Sequence, residues 1–425
     1  MTGLPQGWTE TALGDVCELL NGRAYSQPEL LSEGKYPVLR VGNLFSRNAW
    51  YHSDLELDPD KYIDSGDLIY AWSASFGPRI WQGGKVIYHY HIWKCALQDQ
   101  AVDKHFLYNL LLWDTAKIKG DHGVGSTMMH VTKSAMEKRQ IPLPPLPEQR
   151  RIVRKLDTLS ARSTTARTHL TAIKKLVERY KMAVLSGSLF RNGTPVKRLG
   201  EVLTDIRYGT AAKCSYDPSG TPVLRIPNIQ SGRIDRTDLK SAHFAKKEIE
   251  QLALKAGDIL VIRSNGSPDL VGRVALVTDG ETDCLFAGYL IRLRLSASAA
   301  LPEYVRLCFE SDEVRAIIEA ASKSTSGVNN INSTQLKEIA LPLPTVDEQR
   351  EIVRRIETAF SKFDRLAAEA AKALKLLGHL DQRILAKAFA GDLVPQDPTD
   401  EPAETLLARI RETKADAPKS RRGRK

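Results

Sequence analysis

His89 and His91 lie two residues apart in a strand-like run, so they would share one strand face, and His105 could approach them. Three imidazoles could hold a metal, but ring-bearing strand positions packed for structure are the favoured account. The carboxylates Asp58 and Asp60 sit in a polar loop and read as solvated rather than as a general acid and base. The five cysteines, Cys17, Cys95, Cys214, Cys284 and Cys308, are scattered, odd in number and form no Cys-x-x-Cys pair. That argues against a disulfide framework or a thiolate zinc site and for reduced thiols in a cytoplasm. There is no phosphate-binding loop, no Gly-x-Gly-x-x-Gly, no Gly-x-Ser-x-Gly and no His-Glu-x-x-His. The Asp/Asn-Pro-Pro-Tyr/Phe tetrapeptide of amino-methyltransferases is missing as well. The residues point away from catalysis, and no metal or cofactor is expected in this chain.

What remains is chemistry suited to binding a polyanion. The chain carries a net charge of +10, and residues 146–195 alone hold 11 Lys/Arg against 3 Asp/Glu. A basic stripe of this kind suits DNA, or an acidic partner protein. On that segment Arg151, Arg154, Lys155, Arg162, Arg167, Lys174 and Lys175 could face phosphates or acidic patches. Elsewhere Arg79, Lys94, Arg263 and Asn265 are of types that reach base edges. Two small-residue loops follow the helical stretches near 103–119 and 302–321. They supply hydroxyls, glycine amides and a lysine suited to phosphate: Ser126 and Thr127 in the first, Lys323, Ser326 and Asn329 in the second. Arg40 and Asn43 recur as Arg225 and Asn228, which suits positioning of a lobe more than sequence preference.

The elements that must carry these residues come in two copies. IPLPPLPEQRRIVRKLDT (141–158) and LPLPTVDEQREIVRRIET (341–358) match without a gap at 10 of 18 positions. Ahead of them the echoes are fainter: Leu13-Gly14-Asp15-Val16 with Leu199-Gly200-Glu201-Val202, Pro37-Val38-Leu39-Arg40 with Pro222-Val223-Leu224-Arg225, and Gly66-Asp67-Leu68 with Gly257-Asp258-Ile259. The helical parts are near-copies, and the lobes share a frame with insertions.

After each proline-rich stretch the apolar residues step alternately by four and three. Ile152, Leu156, Leu159, Ser163, Ala166, Leu170, Ile173, Val177, Tyr180 and Val184 are answered by Ile352, Ile356, Ala359, Phe363, Leu366, Ala370, Ala373, Leu377, Leu380 and Ile384. Sustained spacing of this kind is a coiled-coil pattern. It predicts helices of about 38–40 residues, roughly 57–60 Å long, ending near Ser186-Gly187 and Gly391. Side-chain volumes fit parallel and antiparallel pairing alike. Two repeats related by a two-fold axis require antiparallel, which would set Ser163 near Ala373 and Ala166 near Ala370. The alternative is that each helix packs only on its own lobe. Strand-like runs occur at Gly66–Trp72, Lys85–His91, Asp258–Arg263, Gly272–Val277 and Leu290–Leu295, and Asn332 with Gln335 suits a capped short helix.

The expected fold is α+β: two lobes joined by two long helices forming an antiparallel coiled coil, as a pseudo-two-fold internal repeat. The expected segments are 1–145 (first lobe), 146–190 (central helix), 191–345 (second lobe), 346–394 (C-terminal helix) and 395–425 (a tail with a short helix and a basic end). No run is apolar enough to span a membrane, and the first residues do not form a secretory signal.

The motif Leu-Pro-(x)-Pro-x-x-x-Glu-Gln-Arg-x-Ile-Val opening a long helix, at Leu143–Val153 and again at Leu343–Val353, resembles the specificity subunits of type I restriction–modification systems. So do Ala388-Phe389-Ala390-Gly391-Asp392-Leu393 and the acidic-then-helical stretch Glu401–Ile410. The resemblance runs from about residue 5 to 412. It implies two target-recognition domains, each reading half of a bipartite, asymmetric site in double-stranded DNA, with the helices as a spacer that sets the gap. It further implies two modification subunits that bind S-adenosylmethionine and methylate adenine, and restriction subunits using ATP and Mg. It does not carry over base-reading residues, because the lobes are where family members differ. Two other readings compete: a coiled-coil scaffold without sequence readout, and a self-contained methyltransferase.

Overall fold

The computed structural model describes residues 3–45, 48–73, 77–121, 132–230, 232–322 and 328–416. The chain divides into two compact units: residues 1–169 with 373–425, and residues 170–372. The division falls inside both long helices, so each unit owns a lobe, part of one helix and the complementary part of the other.

In the first unit a four-stranded antiparallel sheet runs Cys17–Asn21, Ile92–Leu97, Leu68–Ala71, Gly77–Ile80. In the second unit the same order is built from Leu203–Tyr208, Leu290–Leu295, Ile259–Ile262 and Val274–Leu276. A smaller sheet accompanies each, centred on Tyr36–Leu39 paired parallel to Val86–Tyr88, and on Thr221–Leu224 paired parallel to Leu285–Phe286. Each lobe is closed by a two-stranded ladder: Thr9–Ala12 with Gln140–Leu143, and Val196–Arg198 with Ala340–Pro342. The expected strand-like runs all contain strands. The stretch near 302–321 is two helices, Pro302–Glu310 and Asp312–Ser322, because the buried Ser311 turns extended between them. Asn332 and Gln335 form the anticipated reciprocal cap of Ser333–Lys337.

The Gly-Asp-Leu echo has a physical cause. Gly66 (φ +88°) and Gly257 (φ +90°) are left-handed, which a side chain resists. The aspartate after each closes the turn: Asp67 accepts from the Asp64 N–H at 2.8 Å and Asp258 from the Lys255 N–H at 2.7 Å. Each aspartate also pairs with a cation on the central strand, Lys94 at 2.7 Å and Arg294 at 2.7 Å.

The long helices run Leu146–Leu189 and Val346–Ala390, 44 and 45 residues. The first passes through Gly187, since a glycine lowers helix propensity by only about 1 kcal/mol. The second stops at Gly391, left-handed at φ +83°. There the Asp392 N–H reaches back to the Lys387 carbonyl at 2.9 Å, a glycine C-cap.

Within each unit the two helices run antiparallel. In the first, Ser163 Oγ donates to Asp381 Oδ1 at 2.7 Å and Arg167 pairs with Asp381 at 2.5 Å. In the second, Lys181 pairs with Asp364 at 2.5 Å and the Tyr180 ring stacks on Phe363. The register differs from the expectation: Ser163 meets Asp381, about two helical turns beyond Ala373. The face also differs on the second helix. Ile152, Leu156, Val177 and Ile356 are buried, while Leu159, Leu170, Ile173, Ile352, Phe363 and Leu377 are half-buried. Leu366 and Leu380, placed in the seam by spacing, are 50% and 51% exposed. Their neighbours Ala367 and Asp381 face inward instead. A polar seam residue hides from an apolar count, and Asp381 is admitted because Ser163 and Arg167 satisfy it.

Candidate nucleic-acid interface

The glutamine of the Glu-Gln-Arg motif ties each long helix to its lobe. Gln149 is fully buried, donating from Nε2 to the carbonyls of Ala101 and Pro144 at 2.9 Å each. Its Oε1 accepts from the Asp103 N–H at 2.7 Å. Gln349 repeats this with Ala299 at 3.1 Å, Pro344 at 2.9 Å and the Leu301 N–H at 2.8 Å. The motif that betrays the repeat is therefore a clamp. Sequence reading missed its role because a glutamine near a helix start ordinarily reads as solvent-facing.

The preceding glutamates diverge. Glu348 caps its own helix through Thr345. Glu148 is 1% exposed and accepts from Gln396 Nε2 at 3.3 Å, beside the Arg151–Asp400 pair at 2.7 Å. Burial raises the Glu148 pKa, with Trp8, Gln396 and Arg151 opposing. A carboxyl raised in the folded state binds its proton more tightly there than in the unfolded chain. Stability is then full below the ordinary glutamate value and falls as pH rises through the folded value. Glu148→Gln is expected to raise the melting temperature at pH 8 and leave it unchanged at pH 4. A loss at pH 8 would mean that the carboxylate is needed as a partner of Arg151.

Several candidate contact residues have partners within their own lobe. Lys94 is held by Asp67 and donates to the Tyr62 carbonyl at 3.1 Å. Asn43 and Asn228 lock equivalent turns, their Oδ1 atoms accepting from the N–H of Arg40 at 3.2 Å and of Arg225 at 2.8 Å. Asn228 is 1% exposed, and Arg225 pairs with Asp238 at 3.2 Å. Arg40 packs over the Tyr51 ring, its Cζ 5.3 Å from the centroid. Arg151 and Arg167 are in ion pairs, with Asp400 and Asp381, while Arg154, Lys155, Arg162, Lys174 and Lys175 are exposed.

Other candidates come together. In the second lobe Ser264–Asn265 pairs with Asn329–Asn330. Arg263 lies beside this ribbon, over the ring of Tyr208 at 4.8 Å, and its Nε donates to Asn330 Oδ1 at 3.3 Å. Asn265 Oδ1 accepts from the Ser267 N–H at 2.9 Å, and Asn329 Nδ2 reaches the Gly266 carbonyl at 3.4 Å. Tyr289, 64% exposed, flanks them. Neither tyrosine stood out in the sequence, since no motif marks either one. In the first lobe exposed Arg79 covers the Phe45 ring at 5.0 Å, on the rim of a cleft of about 550 Å³ that also includes His105, Tyr108 and Asn109. Ser126, Thr127, Lys323 and Ser326 lie outside the described residues.

His89 and His91 sit at the turn between Val86–Tyr88 and Ile92–Leu97 rather than along one strand, ring centroids 4.8 Å apart. Burial, then His91 and Arg40, push the His89 pKa down to about 4. Among the described residues no group of three or more His, Cys, Asp or Glu is placed to hold a metal. No described helix is long and apolar enough to cross a membrane, and all five cysteines are free thiols.

Comparison with known proteins gives a consistent result. The family model described as type I restriction modification DNA specificity domain matches residues 5–175 and again 193–375. The chain is 28% identical to the type I restriction enzyme EcoKI specificity subunit of Escherichia coli K12, covering 97% of this chain and 96% of the relative. It is 26% identical to the StySPI specificity subunit of Salmonella potsdam, over 97% and 96%. Among solved structures, a chain from a type I R-M system aligns with a TM-score of 0.71 at 22% identity, covering 92% of this chain and all of that one. The HsdS subunit from Thermoanaerobacter tengcongensis aligns at 0.57 and 21% identity, over 92% and 99%.

Proposed function

The chain belongs to the type I restriction modification DNA specificity family, as a specificity subunit with two DNA specificity domains, and from that premise we propose how the two are used. Each lobe reads one half of a divided, asymmetric site in double-stranded DNA. The paired long helices act as an antiparallel coiled-coil spacer related to itself by a pseudo-two-fold axis, and they set the gap between the half-sites. Two modification subunits, carrying S-adenosylmethionine, methylate adenine where the lobes direct them, and restriction subunits supply ATP- and Mg-dependent cleavage. The chain itself performs no chemical step.

One observation supports this most. The two lobes repeat the same strand order while the side chains at their surfaces differ, half-buried Arg263 and exposed Tyr208 in one, half-buried Trp72 and His91 and exposed Tyr90 in the other. Shared backbone with unshared surface is what two readers of unlike sequences require. The test is exchange of residues 1–140 for the lobe of another family member, followed by methylome sequencing. One half-site is expected to change while the other half-site and the gap stay. Change in both halves, or in neither, defeats the assignment of one lobe to one half-site.

A further inference from the structure

At one framework point the two lobes carry opposite chemistry on the same backbone. The Trp72 N–H donates to the His91 carbonyl at 3.1 Å, and the Arg263 N–H donates to the Tyr289 carbonyl at 2.9 Å. Each residue follows the equivalent sheet strand, Leu68–Ala71 and Ile259–Ile262. In the first lobe the position is a neutral ring, Trp72, packed edge-on to His91 at 5.0 Å and stacked on Trp93 at 5.7 Å. In the second it is a guanidinium.

That guanidinium is pre-aimed. Its plane is supported by the Tyr208 ring, and Nε is occupied by Asn330. Tyr208 is itself fixed: its hydroxyl accepts from the Ser333 N–H at 2.9 Å and lies 3.2 Å from Ser333 Oγ. Among the described residues Nη1 and Nη2 of Arg263 have no hydrogen-bond partner, which leaves a fork of parallel donors. A rigid fork suits a bidentate acceptor, which in duplex DNA is the O6/N7 edge of guanine or a phosphate. Phosphates are identical in both half-sites, so a phosphate contact would be kept at this point in both lobes. The first lobe has an indole there instead.

We propose that Arg263 selects a guanine in the half-site read by the second lobe, with Tyr208 and Asn330 as the residues that position it. The assignment rests on the two-lobe reading above. The full chain is expressed with its modification subunits as wild type, Arg263→Ala and Tyr208→Leu, and the methylated motif is sequenced for each. In Arg263→Ala one guanine of one half-site is expected to become degenerate, with discrimination at that base falling about 5- to 150-fold. The other half-site and the gap are expected to hold. Tyr208→Leu keeps the guanidinium but loses its platform, so it should relax the same guanine by a smaller factor. It also provides a readout if the alanine variant folds poorly. An unchanged motif with methylation reduced evenly at every site would make Arg263 a phosphate contact and overturn the proposal. A relaxed base other than guanine, or a wild-type half-site lacking guanine, overturns it too. A wild-type methylome with no divided motif would instead sink the two-lobe reading itself.

Discussion

Replacing Gln149 with leucine is expected to destabilise the first compact unit by roughly 3–5 kcal/mol, and Gln349→Leu to do the same to the second. The volumes are close, so the cost comes from polar groups. Each substitution strands one buried N–H and two carbonyls that the amide satisfies in the native chain, at 2.7 Å and 2.9 Å around Gln149. An unpaired buried group costs about 1–3 kcal/mol. Water reaches neither fully buried amide to replace the bonds. Against a domain stability of about 5–15 kcal/mol the loss is large enough to populate an unfolded unit. Gln→Glu at either position should be worse at neutral pH, because a carboxylate cannot donate to two carbonyls and its charge would be buried. Denaturant melts read by tryptophan fluorescence measure the effect in the first unit, which holds all six tryptophans, and melts read by circular dichroism with limited proteolysis measure it in the second. A loss under 1 kcal/mol for the leucine variants would show that the clamp contributes little.

The same glutamine marks where sequence reading reached and where it stopped. The gapless repeat made the two long helices legible, because helical spacing is a local pattern, but it ended them short, at about 38–40 residues against 44 and 45, and their antiparallel sense came from the two-fold argument and not from the spacing. It could not fix the register. Apolar steps of four and three count Leu366 and Leu380 as seam residues, yet Asp381 lies in the seam. An aspartate there is paid for by Ser163 and Arg167 on the other helix, and pairing across elements leaves no local trace. The shared Arg-x-x-Asn echo was legible as a recurring frame, and it marks two turns that Asn43 and Asn228 close. The pairing of Lys94 with Asp67 was not legible, because the two lie 27 residues apart. Tyr208 was invisible for the same reason: its value lies in standing under Arg263 and against Ser333, contacts made only when distant segments meet.

Inserting one heptad at the boundary of the compact units in both long helices is expected to lengthen the gap in the recognised DNA and leave both half-sites unchanged. The boundary between His169 and Leu170, and between Lys372 and Ala373, is the place to insert, since each unit keeps its own packing. The Ser163–Asp381 and Lys181–Asp364 pairs then remain within their units. A heptad adds about 10 Å of helix and turns the far end by only about 20°. On axial rise alone that is about three base pairs, at 3.4 Å each along a strand. Three base pairs also turn the duplex by roughly a third of its 10–10.5 base-pair repeat, far more than the protein turns. The added gap is therefore expected to fall between one and three base pairs, with the remainder taken up as DNA twist. Insertion of three or four residues gives a different result, because it rotates one lobe's helix faces out of phase with the other's. Methylation should then fall without a new defined gap. Methylome sequencing separates these outcomes. An unchanged gap after a folded, active heptad insertion would mean that the helices hold the lobes without measuring the distance between half-sites.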